Sequence, residues 1–139
     1  MEDIALIMKK EIVTDPLSAE DLRSDLKKNI SLIKKFGVSQ LFILFGFSWG
    51  KHIYDGEWEE IEVSVDEVQK MIDDAEKKEY GKIGDDNLYI TIPEFIARLH
   101  YSYETDIHLS YSEKNRFVEK VMKRWSSNGW FFGKDKKIY

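Results

Sequence analysis

Apolar and polar residues alternate most regularly between Asn87 and Tyr111, NLYITIPEFIARLHYSYETDIHLSY. Leu88, Ile90 and Ile92 share one face of an extended segment, with Tyr89 and Thr91 on the other. Pro93 interrupts it, because proline has no N–H to give a ladder. Phe95, Ala97, Leu99, Tyr101 and Tyr103 then form one face, and Ile96, Arg98, His100 and Ser102 the other. After Glu104-Thr105-Asp106, Ile107, Leu109 and Tyr111 alternate with His108 and Ser110. The pattern predicts a hairpin with a dry side and a polar side. A three-residue turn would set Tyr103 opposite Ile107, Tyr101 opposite Leu109 and Leu99 opposite Tyr111. Ser102 would then face His108, and His100 would face Ser110. A one-residue slip would mix the two faces, which argues against it.

Helical spacing appears in three other stretches. Leu22, Leu26, Ile30 and Ile33 follow Ser18, an N-cap residue with Glu20 and Asp21 in the first turn, and Gly37 supplies a stop. Ser64-Val65-Asp66-Glu67 reads as a capping box ahead of Val65, Val68, Ile72 and Ala75. Ser112 is expected to cap a third helix with Phe117, Val118, Val121, Met122 and Trp125 inward. The predicted helices are 18–36, 65–79 and 113–126. Ile4–Met8 and Ile12-Val13 read as an N-terminal strand bent at Lys9-Lys10-Glu11. Leu41–Phe45, apolar on both faces, reads as a central strand covered on both sides. Phe47, Trp49 and Ile53 extend it toward Asp55-Gly56, a turn dipeptide, and Trp58, Ile61 and Val63 lead back. Trp130-Phe131-Phe132 must tuck against the core, and Lys134–Tyr139 reads as a loose tail. The expectation is one α+β domain over residues 1–139, a mostly antiparallel sheet of five or six strands packed with three helices.

Composition narrows the chemistry. The chain has 139 residues and no cysteine, so disulfides, thiolate nucleophiles and Cys-based zinc sites are excluded together. Its longest apolar run, Leu41–Phe47, is far short of the ~20 residues of a membrane span. The N-terminal segment places acids before its apolar run and bases after it, the reverse of a secretory signal. These features predict a cytoplasmic protein. The net charge of −5 is unevenly spread. Residues 55–86 hold thirteen acids against four lysines, and Ser112–Tyr139 holds eight bases against three acids. A nucleic-acid binder would carry a continuous basic stripe, so neither nucleic acid nor membrane is an expected partner.

No Gly-x-Ser-x-Gly, Gly-x-Gly-x-x-Gly, P-loop or His-Glu-x-x-His pattern occurs, and no cofactor is expected. Two constellations remain. Glu104, Asp106 and His108 recur at period two, and His100 lies across the hairpin. Carboxylates beside imidazoles suit metal binding or acid–base work, and solvated acids with a satisfied histidine are the plainer reading. The second is an acidic surface around Asp55, Glu57, Glu59 and Glu60, with Asp85, Asp86, Glu104 and Asp106. Tyr54 and Trp58 would be its aromatic anchors.

In size, absence of cysteine and of catalytic motifs, α+β layout, acidic middle and aromatic content, the chain resembles the small acidic immunity proteins that bacteria keep against polymorphic or contact-dependent toxins. The resemblance implies a non-enzymatic inhibitor that binds a basic toxin domain through acidic residues. The alternative is a small metal- or ligand-binding enzyme using His100, Glu104, Asp106 and His108. A third reading is a scaffold that dimerises through Trp49, Trp58 or Trp130.

Overall fold

The structure is a computed structural model, and it describes residues 8–54, 58–133 and 136–137. Strands β1 (Lys10–Val13), β2 (Gln40–Phe45), β3 (Ile61–Ser64), β4 (Leu88–Ile92), β5 (Ala97–Tyr101), β6 (Ile107–Tyr111) and β7 (Lys136–Lys137) form one sheet in the order β3-β2-β4-β5-β6-β1-β7. Every pairing is antiparallel. Helices α1 (Ala19–Lys35), α2 (Phe47–Ile53), α3 (Val65–Lys77) and α4 (Arg116–Ser127) complete the α+β domain. Leu41, Ile43, Phe45, Leu88, Ile90, Ile92, Leu99, Leu109 and Ile12 project from one face of the sheet. They form a single core with Leu22, Leu26, Ile33, Val68, Ile72, Phe117, Val121 and Trp125 of the helices. The opposite face carries no helix among the described residues.

The dry and polar sides of the β5–β6 hairpin are as the alternation requires: Tyr101, Leu109 and Tyr111 are buried. The register differs. Leu99 faces Leu109, Tyr101 faces Ile107 and His100 faces His108. The connection is five residues, closed by Ser102 N–H donating to the Asp106 carbonyl and Thr105 N–H to the Ser102 carbonyl, with Thr105 at φ 67. The pairing has moved by two residues, so side-chain parity survives.

The strand expected through Phe47, Trp49 and Ile53 is the helix α2, so the hairpin about Asp55-Gly56 does not form as read. Trp49 and Ile53 stand one helical turn apart, and Asp86 Oδ1 accepts from the Ser48 amide (3.0 Å) in the first turn of α2. Asp55 and Gly56 lie outside the described residues. β2 is second from an edge, and Phe42 and Leu44 are only half-buried, so it is covered on one face rather than two. Lys10 and Glu11 are paired within β1, not at a bend. Asn115, not Ser112, caps α4, accepting from Val118 N–H. Ser64 accepts from Asp66 N–H rather than from Glu67, so the expected box is incomplete. Lys136-Lys137 pairs with β1 where a free tail was expected. Phe132 packs edge-on against Trp125, while Phe131 is 72% exposed.

α1, α3 and α4 each end in paired reverse-turn hydrogen bonds with a left-handed residue, filled by Gly37, Glu79 and Gly129. Glu79, at φ 61, is exposed and carries the Cβ penalty that the two glycines avoid. Relief of about 1–2 kcal/mol of strain, set against glycine's extra unfolded-state entropy, gives Glu79→Gly an expected stabilisation of about 0.5–1 kcal/mol. Thermal unfolding followed by circular dichroism checks this, and an unchanged or lower midpoint would contradict it.

One cluster of polar side chains is buried in the core. Asp25 is 1% exposed. Its Oδ1 accepts from Arg124 Nη2 (2.7 Å) and Trp125 Nε1 (2.9 Å), and its Oδ2 from Asn29 Nδ2 (2.9 Å) and the Tyr101 hydroxyl (2.9 Å). Arg124 also donates to Asn29 Oδ1. The cluster ties α1 to α4 and to β5. Burial, and then the charge of Asp25, raises the Tyr101 hydroxyl well above its ordinary pKa.

Candidate functional site on the open sheet face

The antiparallel register arranges the open face into rows that run across the strands. Glu62, Phe42, Thr91, Arg98, Ser110 and Glu11 form one row. Leu44, Tyr89, His100, His108 and Val13 form the next. Alternation places each of these side chains opposite the core.

The rings of the second row stack. Tyr89 and His100 lie 4.1 Å apart and nearly parallel, and His100 and His108 lie 5.0 Å apart. Asn87 Oδ1 accepts from His100 Nε2 (2.8 Å) and from the Tyr103 amide (3.1 Å). That shared acceptor fixes the proton of neutral His100 on Nε2. Burial, with smaller contributions from His108 and Arg98, lowers the His100 pKa to about 4, against an opposing effect of Asp106. His108 presents each ring nitrogen to a carboxylate, Nε2 to Asp106 (3.0 Å) and Nδ1 to Glu11 (3.5 Å). In the other row Arg98 donates to Thr91 Oγ1 (2.9 Å) and to Glu60 Oε1 (3.0 Å). The first of these partners is its cross-strand neighbour, and the second arrives from the segment before β3.

The structure therefore brings His100, Asp106 and His108 together and leaves Glu104 exposed in the turn. Ser102 Oγ accepts from the Glu104 amide (2.9 Å) and not from an imidazole. Among the described residues, no three His, Asp or Glu side chains are placed to hold a metal ion. His100 and His108 are half-buried, and both have polar partners.

The acidic surface is rearranged. Asp55 and Glu57 lie outside the described residues. Glu59 is exposed, while Glu60 is half-buried on Arg98. Tyr54 is half-buried, its hydroxyl accepts from the Phe45 amide (3.0 Å), and burial raises its pKa. Trp58 is 46% exposed and lies over Gly46 and Gly50. A Cβ at Gly50 would come within 3.0 Å of that indole, so the bare backbone is what lets the ring settle there. Asp85 is exposed beside Glu76, Glu79 and Arg23. Asp86 is 5% exposed and holds the amides of Ser48 and Lys82, so it is a buried cap rather than a surface acid. Trp49 is fully buried and cannot serve a dimer contact.

Glu11, Asn87, Tyr89 and Arg98 belong to this face and were not singled out from the sequence. Tyr89 and Arg98 alternate with apolar residues, a signal that was legible. Glu11 joins only because β1 pairs with β6, and that pairing has no local signature. No family model matches the chain, and neither does any curated protein or solved structure.

Proposed function

We propose that the chain is a non-enzymatic binding protein that neutralises a basic toxin domain, as cytoplasmic immunity proteins do, through the open face of its sheet. One observation carries the reading. The uncovered face carries half-exposed Phe42, Leu44 and Tyr89 with exposed Glu62, and Trp58, Tyr103, Glu59 and Glu104 are also exposed to a partner. Aromatic groups that keep most of their order supply contact area at low entropic cost, and a charged rim steers a partner of opposite sign. Among the described residues no helix is long and apolar enough to cross a membrane.

The test is co-expression with the product of the gene beside this one, where the reading expects the toxin. Cells no better protected than those with an empty vector would sink the reading. With a purified pair, Trp58→Ala should raise the dissociation rate about tenfold or more, as for a truncated interface anchor. The Glu59→Lys, Glu62→Lys, Glu104→Lys triple variant should slow association and flatten its salt dependence. Equal kinetics for wild type and triple variant would remove the acidic rim from the contact.

A second reading, a small acid–base enzyme, is favoured by the Asp106–His108 pair, in which a carboxylate orients an imidazole. It requires that a substrate turnover exist and that His108→Asn abolish it without changing the unfolding midpoint.

A further inference from the structure

The basic segment after Ser112 has no part in the acidic contact, and the structure gathers some of it into a second place. The C-terminal end of α1 and the first turns of α4 enclose a groove of about 450 Å³, lined by Leu32, Lys35, Phe36, Arg116 and Lys120. It lies on the helical side of the sheet. We propose that this groove binds a small molecule bearing a phosphomonoester.

Three cations and no carboxylate line it. None of the three forms an ion pair with a carboxylate among the described residues. Arg116 and Lys120 stand four residues apart on one face of α4, an arrangement that repels unless an anion sits between them. Arg116 is also the first residue of α4, so the positive end of the helix adds to the field there.

The wall behind the cations is fixed. The Arg116 guanidinium lies over the Phe36 ring, 5.8 Å from its centroid. Phe36 meets Phe95 edge-on at 5.5 Å, and Phe95 stacks on Phe117 at 4.8 Å. Asn115 both caps α4 and donates to the Phe95 carbonyl (2.9 Å). A ring face takes up none of the guanidinium's N–H donors in ordinary hydrogen bonds, so they remain for a phosphate oxygen pair. A phosphomonoester is close to a dianion at neutral pH and has three terminal oxygens for three cations, which a carboxylate or a diester lacks. The groove is of small-molecule size.

The probes are inorganic phosphate and a nucleoside 5′-monophosphate, titrated into the intact protein with calorimetry and amide NMR. Both should saturate, with shifts confined to Lys35, Phe36 and Arg116–Lys120. Arg116→Gln and Lys120→Gln should each weaken binding about tenfold, the loss of one charge-assisted contact. Their side chains are exposed, so the unfolding midpoint should hold. The proposal is overturned if titration does not saturate, if chloride or acetate at matched ionic strength gives the same shifts, or if both variants bind as wild type does. Saturable binding of a single-stranded oligonucleotide without the mononucleotide also overturns it, in favour of a groove that follows a strand backbone.

Discussion

Asp25→Ala should lower the unfolding free energy by about 3–5 kcal/mol, the cost of removing one partner from a buried ion pair and leaving the other uncompensated. The side chain accepts four hydrogen bonds, from Arg124, Trp125, Asn29 and Tyr101. Each donor loses an acceptor inside the core, where water cannot replace it. Asp25→Asn should cost less, since its carbonyl still accepts. Arg124→Met should cost less in the Asp25→Ala background than alone, because the stranded guanidinium is then gone. Urea unfolding followed by circular dichroism measures all four corners. A loss below about 1 kcal/mol for Asp25→Ala, within the range of an ordinary surface change, would mean that the core closes over the site without needing the carboxylate.

Stability should also fall as the medium is acidified from pH 6.5 toward 4, and His100 should account for part of the fall. Its pKa in the folded chain is about 4, below the ordinary histidine value, so the unfolded chain takes up a proton more readily than the folded one. The favourable contribution is therefore fully present above the unfolded pKa. It is lost as the pH drops toward the folded one. Protonation would set an imidazolium between Tyr89 and His108 with Arg98 nearby, and Asp106 would oppose part of the cost. A shift of this size corresponds to about 3 kcal/mol if unscreened, and solvent at the open edge of the ring reduces it to about 1–2 kcal/mol. Unfolding free energies of wild type and His100→Gln, measured at pH 7 and pH 4.5, give the difference directly. An equal acid-induced loss in both would show that other groups carry it.

Local signals placed α1 to within one residue at each end. Its stripe, its Ser18 cap and its Gly37 stop all lie in one short stretch. The same locality made the faces of β5 and β6 legible and their register not. A five-residue turn and a three-residue turn keep the same parity, and Thr105 gives no warning that it will adopt a left-handed backbone. α2 was misread because Phe47 and Trp49 alternate as a strand would, while the side chain that caps the helix, Asp86, comes from 38 residues away. The site suffered likewise. His100 and His108 were seen, but Glu11, which meets His108, and Glu60, which meets Arg98, reach them from other strands and loops. Asp25 and Asn29 did leave a trace, as two polar residues four apart beside Leu22 and Leu26. A solvated helix would carry such a pair on its other side.

The position of β1 between β6 and β7 sets a schedule for synthesis. Lys10 pairs with Tyr111, so the first strand must wait for about a hundred further residues before its neighbour exists. At ~5–20 residues per second, that is roughly 5–20 s on the ribosome. Once β6 emerges, β4, β5 and β6 can close as a meander through short loops without waiting for β1. Until then Ile12 lacks Leu109, its cross-strand partner. Strand β1 is thus among the last of the paired strands to be locked. Damage to it would shorten the life of the finished protein more than it would slow folding.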